Sequence, residues 1–196
     1  ERKCLENTLS QNTRLQQLVA DISVDFIHAK PDNIHELVDR MLARCGEFLG
    51  VDRTFLFRFS DDGSTMSNTN EWCAPGIEHV NDSIQRFPVA DVPWIADFIA
   101  KRMPFIVPDV EALPESLDKT ELLRQRIQSV VALPLVVDNN HLIGYFGFDA
   151  VKAKRTLDNE QIRMLQILGN ILGDALLKDI YERELLAAKE HADFAN

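Results

Sequence analysis

The sequence predicts an α+β domain: one central antiparallel β-sheet sandwiched between helices, with long N- and C-terminal helices. Three observations carry this. Two apolar runs, 130–137 and 142–150, flank the polar Asp138-Asn139-Asn140-His141, which reads as a hairpin turn. Both faces of each run are apolar, so that hairpin is expected inside a sheet covered on both sides. A second strand pair spans 53–72 across Asp61-Asp62-Gly63-Ser64, and apolar residues recur at helical spacing at both ends of the chain.

Residues 2–28 read as a helix. Leu15, Leu18 and Ile22 fall at heptad spacing, with Leu5, Val19 and Phe26 nearby. So narrow an apolar stripe needs a partner, either the helix's own domain or a dimer seam. Lys30-Pro31-Asp32 is a break, and Asp32 is placed to cap a second helix over 33–48. That helix carries Ile34, Leu37, Val38, Met41, Leu42 and Cys45 on one face and ends at Gly50, which favours a left-handed cap. Residues 53–59 alternate Phe55, Phe57 and Phe59 against Thr54, Leu56 and Arg58, a strand pattern. The returning strand, 65–72, is polar and belongs near a sheet edge or beside something wet.

Residues 73–90 hold Pro75, Gly76 and Pro88 and little regular structure. A short helix follows over 91–102, with Pro93 tolerated in its first turn. Phe105-Ile106-Val107 is a short strand, and 114–127 reads as an amphipathic helix with Leu117, Leu122, Leu123 and Ile127. In the apolar hairpin, Gly144 and Gly147 leave room for a close approach to its second strand. Asp158 or Asn159 caps the last helix, which carries Leu165, Leu168, Leu172 and Leu176. From Lys178 this helix is highly charged, outruns the domain core and is expected to project as a rod.

The 196 residues suffice for one good core with helical extensions, and 45% hydrophobic with 27% charged residues is an ordinary globular composition. A net charge of −10 argues against nucleic acid as a partner, because phosphates demand a Lys/Arg stripe. No apolar run reaches the roughly 18 residues that a membrane span needs, so no direct membrane contact is expected. Three widely spaced cysteines, Cys4, Cys45 and Cys73, form no CxxC and suit a reducing cytoplasm. The chain opens inside a helix at Glu1, as a piece of a longer protein would.

Cys73 beside Trp72 is a candidate reactive thiol, but no cationic neighbour or helix N-terminus is visible to make it a thiolate, and the inert reading is favoured. The histidines, His28, His35, His79, His141 and His191, form no ligand pattern, so no metal is expected. Asp61-Asp62-Gly63 reads as a hairpin turn and not as a calcium loop. Asp149 on an apolar strand needs a partner, for which Arg155, Arg58 or a backbone amide are candidates. No nucleophile–base pair, phosphate loop or metal cluster is visible, so no catalysis is read in these residues.

Several strings resemble the GAF domain, a small-molecule-sensing and dimerising module of signalling proteins. Leu133-Pro134-Leu135 followed by Leu142-Ile143-Gly144-Tyr145-Phe146-Gly147-Phe148-Asp149 resembles the family's paired central strands. Asp158-Asn159-Glu160-Gln161 with Leu165, Leu168, Ile171-Leu172 and Ala175-Leu176 resembles its closing helix. Gly147-Phe148-Asp149-Ala150 with Lys152 and Arg155, and Asn70-Glu71-Trp72 before Gly76-Ile77, resemble GAF domains of bacterial hybrid sensor kinases. The tail from Ala188 to Asn196 is similar to the helix that leads into the phosphoacceptor domain of histidine kinases.

The resemblance implies a GAF-like α+β fold, with residues 1–30 as an N-terminal signalling and dimerisation helix, 31–177 as the sensor domain and 178–196 as a linker to an output domain. It places Trp72, Trp94, Phe105, Phe146 and Phe148 around a pocket, with Asn68, Asn70 and Asp149 as its polar groups. It implies a parallel homodimer through terminal helices that carry Leu15, Leu18, Ile22, Leu168, Leu172 and Leu176. The family's cyclic-nucleotide signature is missing. No Cys precedes a His, so a covalent bilin is not expected, nor is haem. A non-enzymatic sensory module of a two-component histidine kinase is the favoured reading. A ligand-free structural dimerisation spacer is the alternative, and a cysteine-dependent free methionine sulfoxide reductase ranks behind it.

Overall fold

The computed structural model describes residues 2–194; the side chains of residues 1–8, 82, 139 and 191–196 lie outside the description. The expectations placed on Cys4, Leu5, His191 and the last residues of the tail therefore fall outside it. Helix α1 (Arg2–Ile27) and helix α2 (Ile34–Leu49) lead into strands β1 (Arg53–Phe59) and β2 (Thr65–Cys73). After a long connection come β3 (Phe87–Pro88), α3 (Pro93–Lys101), β4 (Phe105–Val107) and α4 (Leu117–Arg124). The apolar hairpin is β5 (Ser129–Val137) and β6 (His141–Ala150), and α5 (Asn159–Phe194) closes the chain.

The strands form one six-stranded sheet in the order β3-β2-β1-β6-β5-β4, antiparallel throughout. The apolar hairpin thus lies inside the sheet, with β6 at its middle and β5 covered at its outer edge by β4, as its two-sided hydrophobicity predicts. Polar β2 lies one place from the edge, beside the two-residue β3, which sequence periodicity is too short to register.

Helices α1, α2 and α5 form one layer. Leu15, Leu18, Val19, Ile22 and Phe26 of α1 join Leu165, Leu168, Leu172 and Leu176 of α5 in a single core with the sheet's Leu133, Leu135, Phe146 and Phe148. Removing each such leucine from water contributes about 1.5–3 kcal/mol. The residues expected at a dimer seam lie in this core. Leu15, Leu18, Ile22, Leu168, Leu172 and Leu176 are all buried within one chain. Phe146 lies against α5 at Gly169, where an added Cβ would meet the ring.

Local signals explain most element ends. Gly50 takes φ 62° as the left-handed cap of α2, but Asn33, not Asp32, stands at its N-terminus. Its side chain accepts from Lys30 N at 2.8 Å and makes no cap bond. Asp158 and Gln161 form a reciprocal capping box at 2.8 and 2.9 Å. Helix α4 is shorter than the 114–127 pattern suggests, because Ser116 caps it by accepting from Lys119 N at 3.1 Å and Ile127 is buried beyond its end. At 36 residues α5 is about 54 Å long at 1.5 Å per residue, and its Tyr181, Leu185 and Leu186 are exposed past the core.

Leu172→Ala is expected to lower unfolding free energy in urea by about 2–5 kcal/mol. Leu185→Ala, on the exposed extension, should stay within about 0.5 kcal/mol. Equal losses at the two positions would contradict this assignment of the core.

Candidate functional site

The face of the sheet opposite α1 and α5 is covered by α3, α4 and the 74–92 connection, which enclose a cavity of about 550 Å³. That volume falls in the range of small-ligand sites. Alternation along the central strands supplies its floor: Phe55 and Phe57 from β1, Tyr145 from β6, Val130 and Ala132 from β5. Gly147 shares that parity, and the Phe55 ring occupies the space where its Cβ would stand. Phe57 and Tyr145 stack at 4.9 Å, and Trp94 of α3 meets Tyr145 edge-on at 5.7 Å. Phe105 stacks on Trp94 at 4.3 Å and holds it in the wall. Asp118 of α4 accepts from Trp94 N at 3.2 Å and ties the two roof helices together.

One end of the cavity is polar, with Asn68, Glu71 and Asp149 in its lining, while Arg53, the partner of Asp149, lines a neighbouring pocket with Ile77, Val80 and Arg126. Arg53 and Asp149 face each other across β1 and β6, with Arg53 Nε 2.9 and 3.1 Å from the two carboxylate oxygens and both residues buried. The partner of Asp149 is therefore Arg53, not Arg58 or Arg155. Arg155 instead donates to Leu49 O at 3.0 Å. Burial outweighs the attraction of Arg53 and raises the Asp149 carboxyl to about 6. Asn68 donates from Nδ2 to Glu71 Oε1 at 3.2 Å. Arg53 Nη2 and Asn68 Oδ1 are buried and have no hydrogen-bond partner among the described residues. Such atoms carry a desolvation cost that an incoming polar group can recover.

Of the residues expected at a pocket, Asn68, Trp94 and Asp149 line this cavity and Phe105 backs Trp94. Asn70, Trp72, Phe146 and Phe148 lie on the other face. Asn70 donates to Asp39 of α2 at 2.8 Å, the Trp72 ring fills the space beside Gly46, and Phe146 and Phe148 belong to the helical core. The cause on β2 is a bulge at Thr69: Asn68 pairs with Phe57 and Asn70 with Leu56, so two residues of equal parity face opposite ways. The floor residues Phe55, Phe57 and Tyr145, and the buried Arg53 and Glu71, escaped the sequence reading. On β6 the period of two was signal enough, because Phe148 and Asp149 are neighbours and point to opposite faces.

The raised Asp149 carboxyl has a pH signature. Between about pH 4 and 6 the unfolded chain has released this proton while the folded chain keeps it, so rising pH favours unfolding. The stability that this group contributes is full below about 4 and is lost as pH rises through about 6. Urea titrations of the wild type and Asp149→Asn from pH 4 to 7 should show the wild type's relative stability falling across that window. A rise would mean that Arg53 holds the carboxyl down instead.

A GAF domain family model matches residues 31–177. Among curated proteins, none matches the chain in sequence. Solved structures with the same fold include the phycocyanobilin-bound GAF domain from a cyanobacterial phytochrome, with TM-score 0.72, 16% identity and coverage of 86% of this chain and 96% of that one. The chromophore-binding domain of the Stigmatella aurantiaca bacteriophytochrome gives TM-score 0.69 at 17% identity, over 85% of this chain and 60% of that one. The blue-light absorbing form of the Thermosynechococcus elongatus PixJ GAF domain gives 0.65 at 17%, over 82% and 94%. With three quarters of its length matched by the family model, this chain belongs to the GAF domain family.

Proposed function

We propose that this chain is the small-molecule-sensing module of a bacterial signalling protein, in which occupancy of the cavity biases the terminal helices and, through α5, an output domain such as a histidine kinase. The observation that carries this reading is the cavity itself: an aromatic floor with a polar end formed by Asn68, Glu71 and Asp149, where the buried Asn68 Oδ1 has bonding capacity to spare. The relay is short. Strands β5 and β6 present Val130, Ala132 and Tyr145 to the cavity and Leu133, Leu135 and Phe146 to the helical layer. Gly169 and Gly173 let α5 close on Phe146 and Val137, so a displaced strand has a helix directly behind it. A ligand must bind one arrangement better by about 1–3 kcal/mol to act as a switch.

The ligand proposed is held non-covalently. Among the described residues lining the cavity none is a cysteine or a histidine, so the donor set fits neither a thiol-attached bilin nor a histidine-ligated haem. No catalysis is proposed. Burial and the Glu71 carboxylate raise the Cys73 thiol to about 12, which makes it a poor nucleophile for a sulfoxide reductase. A parallel homodimer remains part of the proposal, with its seam moved to the exposed apolar residues Leu9, Val24 and Ile27 of α1 and Tyr181, Leu185 and Leu186 of α5.

Mass spectrometry of molecules released from the purified, denatured protein is expected to find a small molecule at near-stoichiometric yield. Ala132→Trp, which fills the floor, should lose it while remaining folded by circular dichroism. Release of nothing, together with no thermal shift across a metabolite screen, would favour the ligand-free spacer.

A further inference from the structure

We infer that Glu71, Cys73 and His79 form a binding site for a divalent transition-metal ion of the zinc class, at the outer end of β2. Glu71 and Cys73 stand two apart beyond the Thr69 bulge and project to the same face of the strand. The connection then turns at Gly76, with φ 82° and Ile77 N donating to Ala74 O at 3.0 Å, and brings His79 back onto them. A carboxylate oxygen, the Cys73 sulfur and a ring nitrogen of His79 all lie within 4.8 Å of one another.

The donor types decide which ion suits the site. Sulfur, imidazole nitrogen and carboxylate oxygen together are a zinc set, whereas calcium and magnesium take oxygen alone. Three protein ligands leave the fourth tetrahedral position for water or an exchangeable group. The Glu71 carboxylate is already oriented for the task. Oε2 accepts from Val80 N at 2.9 Å and Asn81 N at 3.3 Å, and Oε1 accepts from Asn68 Nδ2 at 3.2 Å. Such outer partners fix a ligating group and are a regular part of metal sites. His79 Nδ1 lies 3.1 Å from Glu71 Oε2, and the His79 side chain is 58% exposed, so an ion has a path in from solvent. Binding displaces the Cys73 thiol proton to solvent, and the sulfur joins the metal as thiolate. Glu71 also lines the cavity, so the ion would sit in the wall of the sensory pocket, although the site does not depend on that pocket being occupied.

Cobalt(II) serves as the spectroscopic probe on the 196-residue chain carrying Cys4→Ser, with zinc(II) in competition. One cobalt per chain is expected, with a thiolate-to-metal charge-transfer band in the near ultraviolet, release of one proton per ion and displacement by zinc. Cys73→Ser should abolish the band, and His79→Ala should weaken binding at least about tenfold. Both variants should match the parent's metal-free melting temperature while losing the upward shift that zinc gives it. No binding, binding without the charge-transfer band, a band that survives Cys73→Ser, or unchanged affinity in His79→Ala would each overturn the site.

Discussion

Strand β6 is hydrogen-bonded to β1 on one side and β5 on the other, and both of its faces are covered. Everything else in the fold follows from satisfying those four boundaries at once. The backbone groups of such a strand cannot turn to water, so they must pair in a ladder on both edges. Its side chains cannot all point into one core, so alternation divides them: Phe146 and Phe148 enter the helical layer, while Tyr145 and Asp149 enter the layer that holds the cavity. Two cores therefore share one wall that is a single strand thick. A packed wall of this kind does not deform smoothly, and a shift on one face must be taken up on the other.

The buried Arg53–Asp149 pair puts one member, Asp149, in the cavity's lining and the other, Arg53, in that of the neighbouring pocket. Two charges removed from water are costly, and their attraction offsets that cost only when the geometry is good and the remaining hydrogen-bonding groups are satisfied. Here Nε serves both carboxylate oxygens while Nη2 stays without a partner among the described residues. An apolar pair would hold β1 to β6 at least as well. Asp149 of that pair, the buried Asn68 and the buried Glu71 instead give an otherwise aromatic chamber its polar groups. The rest of the chamber is aromatic: Phe57 stacks on Tyr145, Trp94 meets Tyr145 edge-on, and Phe105 stacks on Trp94 from behind.

The sequence was most legible where one physical signal acted alone. The two-sided apolar hairpin, the Gly50 cap and the Asp158 capping box each depend on local chemistry, and the matching elements stand where the pattern puts them. It was less legible where two explanations share one pattern. The heptad-spaced Leu15, Leu18 and Ile22 suit a seam between copies as well as a seam within a domain, and only the position of α5 decides in favour of the second. The polar strand β2 offered no periodicity against which to detect the Thr69 bulge, so Asn68 and Asn70 could not be separated beforehand. The convergence of Glu71, Cys73 and His79 depends on a loop that folds back over β2, and spacing along the chain carries no sign of it.

The shared wall can be tested without knowing any ligand. A double-mutant cycle between Tyr145→Leu on the cavity face and Leu168→Ala on the helical face, read by urea unfolding, measures whether the two cores feel each other through β6. A coupling free energy above about 0.5 kcal/mol is the result that a mechanically continuous wall predicts. Losses that add to within about 0.3 kcal/mol would show two independent layers, and a sensor built on this sheet would then have no route from its cavity to its helices.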